Sequence, residues 1–411
     1  MSFNVEVISR WADVLPHAAA WDRLVETCLG EGLAPAHIFL TFDYVATWWS
    51  ILATPQDALR IFVARDLEGE IVGIAPMMIA RSRTLGGTVR YLQFIGSARE
   101  PRSEYLDYIV APDRATRVSQ ALTDALFSHE AGRWHFLRLC MIAEGSHIAR
   151  AIEERAQHAG VPTRVTEHHV APYIQLSDSL ETVIAERPPK LRTNIRSSWR
   201  KAQAQSGFAI LQAPDAIPLG QAVDVFLDLH AKRWLSEGRT LVDERSRRFF
   251  HELAGRLVAR DRLMLSVVML HGKPAAATYD FLFNGRVYGY QAGWDPAHSK
   301  LGLGNIMRAS TVRWAIARGA REFDLLVGDE PYKLAWMSGL RSVVDLEIAN
   351  PRYLVPVMVG WLRTVRSLVH RIRLIAATAG SAAQAAGKQL DASGSAVPRV
   401  PGYEPDRSLT D

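Results

Sequence analysis

Two glycines spaced two apart, Gly302 and Gly304, sit between a strand-like run and an amphipathic helix that begins I-M-R-A-S-T-V-R-W. Glycine at such a junction leaves backbone N–H groups bare at the positive end of a helix dipole, which is how a chain cradles a pyrophosphate. The expected donors are the N–H groups of Gly302, Gly304 and Asn305, with Leu301 and Leu303 in the same turn and Lys300 as charge partner. A second anion-binding candidate lies upstream. Arg192, Arg196 and Arg200 recur every fourth residue and share one helix face. Like charges stacked this way destabilise a helix by a few tenths of a kcal/mol per pair, so a phosphate-bearing ligand or acidic neighbours must compensate, unless the helix is a solvated linker.

The elements that must position the glycines are legible around them. Ala275 to Phe283 and Arg286 to Trp294 are strand-like runs joined by Asn284-Gly285. Asn-Gly between two such runs predicts a hairpin, because both central residues of a type I′ turn need positive φ. The helix after Asn305 ends near Gly319, and a further strand is expected over Glu322 to Val327. Gly289 and Gly293 would permit a bulge in the second strand of the hairpin.

Composition bounds the partners. The 411 residues allow two domains, since single cores stop growing near ~250–300 residues. A hydrophobic fraction of 48% and a charged fraction of 22% are those of a globular protein. The two cysteines, Cys28 and Cys140, have no metal-ligand spacing and are too few for a disulfide framework, so neither a metal nor disulfides are expected. The net charge of +5 is concentrated at the end: residues 351–411 hold eight Lys/Arg against four Asp/Glu, leaving 40 against 39 elsewhere. A body so close to neutral argues against nucleic acid as a partner. The first residues, M-S-F-N-V-E-V-I-S-R, have no basic lead or apolar core, and no run approaches the ~20 apolar residues of a membrane span, so a cytoplasmic location is expected.

Several stretches together resemble a known family. They are Gly293-Trp294-Asp295-Pro296, the Leu303-Gly304 turn, Gly319 with Phe323-Asp324, and Gly328-Asp329-Glu330-Pro331-Tyr332-Lys333, with Arg192 to Gly207 and His230-x-x-x-Trp234 upstream. They are similar to the GNAT-fold acetyltransferase domain of the branch associated with cellulose and exopolysaccharide biosynthesis. The resemblance runs from about Trp11 to Asn350 and is densest after Leu263. One position departs from it: the family's loop usually opens with Arg or Gln three positions before its first glycine, where this chain has Ser299.

The resemblance implies an α/β fold of tandem GNAT-like domains, each a mixed central sheet flanked by helices, and acetyl-CoA as the acyl donor. It implies that an N–H in the stretch Tyr290 to Trp294 stabilises the developing oxyanion, with Tyr290, Gln291 and Gly293 among the cofactor-binding residues. Tyr332 would protonate the departing thiolate, and Lys333 would bind an acidic group on the acceptor. For the base it leaves Asp324, Asp329, Glu330 and His230 open. Trp234, beside the arginines of the basic helix, would belong to the acceptor site. The acceptor class implied is an amine or hydroxyl on a sugar or other small cell-envelope precursor. Two rivals share the architecture: a Fem-like peptidyltransferase taking an aminoacyl group from tRNA, and a scaffold that has lost its chemistry.

In chain order, residues 1–165 are expected to form a GNAT-like domain without the glycine loop. Its elements are helices between Trp11 and Ile51, strands Leu59–Ala64, Ile71–Ala80, Tyr91–Ile95, Tyr105–Val110 and His135–Leu139, and helices Arg117–His129 and Ser146–His158. Its S-E-Y-L-D-Y, Ser103 to Tyr108, resembles a family motif near the domain interface. Residues 166–350 are expected to form the acetyltransferase domain. It opens with a short strand, Pro172 to Leu176, and the basic helix within 187–205, then helices Pro218–Ser236 and Ser246–Asp261 and a strand Leu263–Leu270. Beyond it, residues 351–375 predict a helix with Val365, Leu368, Val369 and Ile372 as an apolar stripe and Arg363, Arg366 and Arg371 outside it. That pattern suits a peripheral contact with an anionic membrane face. Residues 376–411 are rich in Ala, Gly, Ser and Pro and are expected to be disordered.

Overall fold

The computed structural model describes residues 3–28, 37–84, 87–97, 99–159, 163–236 and 243–353. The helix expected over 351–375 and the tail expected after it lie outside these, apart from a short turn at Pro351–Tyr353.

The first half runs β1 (Asn4–Ile8), α1 (Trp11–Val14), α2 (Ala18–Thr27), α3 (Phe42–Leu52), β2 (Ala58–Arg65), β3 (Ile71–Thr84), β4 (Gly87–Phe94) and β5 (Ile109–Val110). It continues with α4 (Ala115–Leu126), β6 (Phe136–Ala143), α5 (His147–Ala159) and β7 (Thr163–Gln175). The second half runs α6 (Leu180–Ala185), α7 (Pro189–Gln203), β8 (Ala209–Ala213), α8 (Leu219–Ser236), α9 (Glu244–Val258), β9 (Leu263–Leu270), β10 (Lys273–Phe283) and β11 (Arg286–Trp294). It closes with α10 (Leu303–Ala317), β12 (Glu322–Asp324), α11 (Pro331–Trp336) and β13 (Gly339–Ala349).

Among the described residues the strands form one mixed sheet in the order β1-β2-β3-β4-β6-β13-β7-β12-β11-β10-β9-β8, with β5 on β3. The last strand, β13, is inserted between β6 of the first half and β7, antiparallel to both. One apolar core spans the halves. Phe39 packs with ring centres 5.9 Å from Phe281 and 5.7 Å from Tyr290. Each such buried aromatic contributes roughly 2–3 kcal/mol, so the first half is a structural support for the hairpin of the second.

Three elements differ from their sequence expectation. The strand expected over Tyr105–Val110 shrinks to Ile109–Val110, because Tyr105 takes a φ of 55° and Asp107 turns to cap α5, accepting from the N–H groups of His147 and Ile148. The strand expected from Pro172 begins at Thr163; its first six residues are exposed and, Val165 apart, polar, so no apolar alternation announced it. The strand expected to reach Val327 stops at Asp324, for the reason given next.

Candidate functional site

The hairpin forms as its turn chemistry requires: Asn284 and Gly285 have φ of 52° and 65°, and β10 pairs antiparallel with β11. The register slips once. Tyr279 faces Gln291 and Phe281 faces Tyr288, so Asp280 alone opposes Gly289 and Tyr290. This bulge needs glycine, because a Cβ on Gly289 would lie 2.9 Å from the Phe323 ring. The Asp280 carboxylate accepts from the Tyr290 N–H and from the Thr311 hydroxyl.

On its other side β11 pairs with β12 only through Arg286–Tyr288 and Glu322–Asp324. Beyond Asp324 the chain leaves β11 altogether. Leu326 has a φ of 60°, with its N–H on Asp324 Oδ1 at 2.8 Å, and the N–H groups of Leu325 and Gly328 donate to Pro172 and Val170 of β7. Backbone donors that could have extended the β11 ladder are spent on β7 instead, so the two strands part.

A cavity of about 470 Å³ opens where they part. Gly289 to Ala292 form one wall, and Phe323 with Leu325 to Val327 form the other. Thr278 and Asp280 line it from β10, Gly304, Met307 and Arg308 from the first turns of α10, and Arg233 from α8. Glu330, Tyr332 and Lys333 line it from α11 and the residue before, and Glu104 reaches it from the first half.

Its charges are arranged in pairs. Lys333 Nζ donates to Val327 O at 2.7 Å and lies 3.2 Å from Glu330 Oε2. The same peptide's neighbour on the other side, the Val327 N–H, donates to Glu104 Oε2 at 2.7 Å. Burial pushes the Glu104 carboxyl up to about 8, against the opposing pull of the Val327 N–H and Lys333. Burial likewise raises Asp280 to about 7, with Thr311, Thr278 and the Tyr290 N–H opposing. Arg308 donates to Gly304 O at 3.0 Å and stacks 4.2 Å from the Tyr332 ring centre; burial lowers its pKa, with Tyr332 and Asp280 resisting. Two carboxyls poised near neutrality beside three cations can exchange a proton with a bound amine or hydroxyl.

Of the residues singled out from sequence, Tyr290, Gln291, Gly304, Tyr332 and Lys333 meet at this cavity. His230 stands behind it, Nε2 3.1 Å from Gln291 Oε1. Asp324 does not line it. That carboxyl is fully buried beneath the parting point, takes donors from Tyr105, Leu326 and Arg341, and is raised by burial to about 6. Gly293 is a packing glycine: a Cβ there would overlap the backbone of Leu229 and His230 in α8.

The glycine turn is built differently from a row of bare donors. Gly302 adopts a φ of 69° and caps α10, and a Cβ on it would overlap Ser198 of α7. The Gly302 and Asn305 N–H groups are used inside the turn, on Ser299 O and Gly302 O, and Leu303 is buried. Leu301 is partly buried and Lys300 is exposed. Asn305 Oδ1 accepts from Trp336 Nε1 at 3.4 Å. Arg192 is half-buried and donates to Ala185 O, Arg196 and Arg200 are exposed on α7, and Trp234 lies in α8. Asp329 and Glu330 precede α11, with Glu330 at the cavity.

Glu104, Asp280, Arg233 and Arg308 escaped notice in the sequence. Only Glu104 had a signal, inside Ser103–Tyr108. Asp280 sits in an apolar run, and nothing but the bulge shows that it is opposite two residues. Among the described residues, Glu167, His169 and Asp345 form a group whose ligand atoms all lie within 4.8 Å of one another; they lie on the β7–β13 ladder and none lines the cavity.

Residues 189–334 match a family described as acetyltransferase (GNAT) domain. No curated protein matches the sequence. The crystal structure of FemX superposes with a TM-score of 0.57 at 11% identity, covering 86% of this chain and 99% of that one. A conserved protein of unknown function from Bacteroides thetaiotaomicron gives 0.50 at 10% identity, covering 84% and 99%. A tandem GNAT protein from the clavulanic acid biosynthesis pathway gives 0.46 at 15%, covering 84% and 99%. Identities this low speak for the fold alone. The chain thus has a mixed α/β fold, a large sheet flanked by helices, similar to that of FemX, and its match to the acetyltransferase (GNAT) domain falls on the half that holds most of the cavity.

Proposed function

We propose that the protein is an acyltransferase that moves an acetyl or other acyl group from coenzyme A to an amine or hydroxyl of a sugar or cell-envelope precursor. The observation that carries this reading is the parting of β11 from β12 with a cavity between them and the first turn of α10 at its edge. A thioester supplies an already activated acyl carbon, so the protein's task is orientation, charge stabilisation and proton movement. The residues present suit such a donor. The nearest atoms to a Cβ on Gly304 are 3.8 Å away, so a phosphate can approach that turn, and Arg308 and Lys333 supply positive charge at the cavity. Tyr332, 41% exposed at the rim, is placed to give a proton to the departing thiolate.

The sugar or envelope acceptor rests on the resemblance to the cellulose and exopolysaccharide branch. No helix among the described residues is long and apolar enough to cross a membrane; an acceptor presented at the cytoplasmic membrane face would suit the basic segment over 351–375, which after Tyr353 lies outside them. The fold likeness to FemX keeps an aminoacyl-tRNA donor as the rival reading.

Calorimetry with acetyl-CoA decides between them. Micromolar binding by the full chain, abolished in Gly304→Trp with the melting temperature unchanged, is the expected result. No binding of acetyl-CoA together with binding of aminoacyl-tRNA would transfer the site to the rival. No binding of either would leave a scaffold.

A further inference from the structure

Glu104 comes from the half of the chain that holds no glycine turn, yet its carboxylate lines the cavity formed by the other half. Resting on the acyltransferase reading, we propose that Glu104 is the group that takes the proton from the incoming amine or hydroxyl, so that the first half completes the site chemically as well as structurally. The geometry selects it among the carboxyls. Asp324 is turned away and holds three donors. Asp280 is committed to the Tyr290 N–H and Thr311. Glu330 pairs with Lys333 at the exposed rim. In Glu104, Oε2 is fixed by the Val327 N–H, and Oε1 takes no hydrogen bond among the described residues. Val327 belongs to the wall along which an acceptor must enter, and Lys333 grips the same residue's carbonyl.

The step balances. The acceptor nitrogen or oxygen bonds to the acyl carbon while its proton passes to Glu104. The acyl–sulfur bond breaks, its electron pair leaves on sulfur, and the thiolate takes a proton from Tyr332, which regains one from solvent. Glu104 then releases its proton to solvent. The groups that face Glu104 and set its affinity for that proton are Lys333 from α11, Asp324 from β12, Tyr105 beside it, and Glu100 upstream; Lys333 favours the anion and the acids oppose it. Burial outweighs Lys333, so the carboxyl is a stronger base than an exposed glutamate.

Two measurements on the full chain test the proposal. In the ligand-free protein, 13C NMR of labelled glutamate carboxyls, with Glu104→Gln to assign the signal, should show one midpoint near 8; a midpoint in the ordinary carboxylate range overturns the proposal without reference to any donor. With acetyl-CoA and glucosamine as probes, thiol release by the wild type should rise with pH through that midpoint. Glu104→Gln, which keeps an oxygen for the Val327 N–H, should lose about 100-fold in kcat and the rising limb while its acetyl-CoA Kd stays within about 3-fold. Glu104→Asp should recover part of the rate. A Glu104→Gln enzyme that keeps both rate and limb sinks the base assignment and leaves the transferase reading standing. A wild type that neither binds acetyl-CoA nor releases thiol sinks the reading itself, and the assignment with it.

Discussion

The guanidinium carbon of Arg308 lies 4.2 Å from the centre of the Tyr332 ring. A charge over a π face thus ties the first turns of α10 to the rim of the cavity, and the tie is made between two residues that also line it. Stacking of this kind is worth about 0.5–2 kcal/mol.

Tyr332→Phe should therefore keep the stack and the fold while losing the hydroxyl. The expected outcome is a melting temperature within about 1 °C of wild type and thiol release from acetyl-CoA slowed by about 10–100-fold. Tyr332→Ala should lose the stack as well, costing about 1 kcal/mol in denaturant unfolding. Full turnover by the phenylalanine variant would remove Tyr332 as the source of the thiolate's proton.

Three glycines near the cavity should respond differently to alanine. A Cβ on Gly293 would meet backbone, with His230 Cα at 2.7 Å, so Gly293→Ala should cost more than about 4 kcal/mol or prevent folding. Gly328 has a φ of 143°, and a Cβ there would overlap Glu330 Oε2 and sit 2.6 Å from Lys333 Nζ; Gly328→Ala should cost about 1–3 kcal/mol and displace Lys333. Gly304→Ala meets nothing closer than 3.8 Å and should melt as wild type does. Thermal unfolding of the three variants checks the ranking.

The pH dependence of stability carries a sign that follows from Glu104. Its folded pKa, about 8, lies above the usual 4.5. The stabilisation it contributes is fully present below about 4.5 and is lost as pH rises through about 8. Relative to Glu104→Gln, which does not titrate, the wild type should therefore lose on the order of a few kcal/mol between pH 5 and pH 9. Urea unfolding of both proteins at several pH values measures the difference directly; parallel curves would refute the assignment.

Asp324 should behave as a structural acid. Its Oδ1 accepts from Tyr105 and Leu326, and its Oδ2 lies 3.1 Å from Arg341. Asp324→Ala would leave the Tyr105 hydroxyl and the Leu326 N–H without this acceptor and take one of two carboxylates from the half-buried Arg341, which keeps Glu322, and should destabilise by about 2–4 kcal/mol. Asp324→Asn should bind acetyl-CoA with a Kd within about 3-fold of wild type under conditions where it is folded. A large loss of affinity in a well-folded Asp324→Asn would return this residue to the donor site.

Much of this protein was decided by the sequence alone, because the signals are local. Asn284-Gly285 between two apolar runs specifies its own hairpin through backbone sterics, and Gly302 before an amphipathic run specifies a helix start. The α/β class and the helix and strand order around the site follow from such short-range rules. The tertiary structure decided what those elements enclose. Whether β12 continues along β11 or leaves it depends on β7, more than a hundred residues away in sequence, offering Pro172 O and Val170 O to the departing N–H groups. Glu104 lines the cavity because the two halves share one sheet and one apolar core, and Asp324 is withdrawn from it by donors from Tyr105 and Arg341. A residue's type announces what it can do, but burial and long-range partners fix its charge, and these are properties of the packed chain.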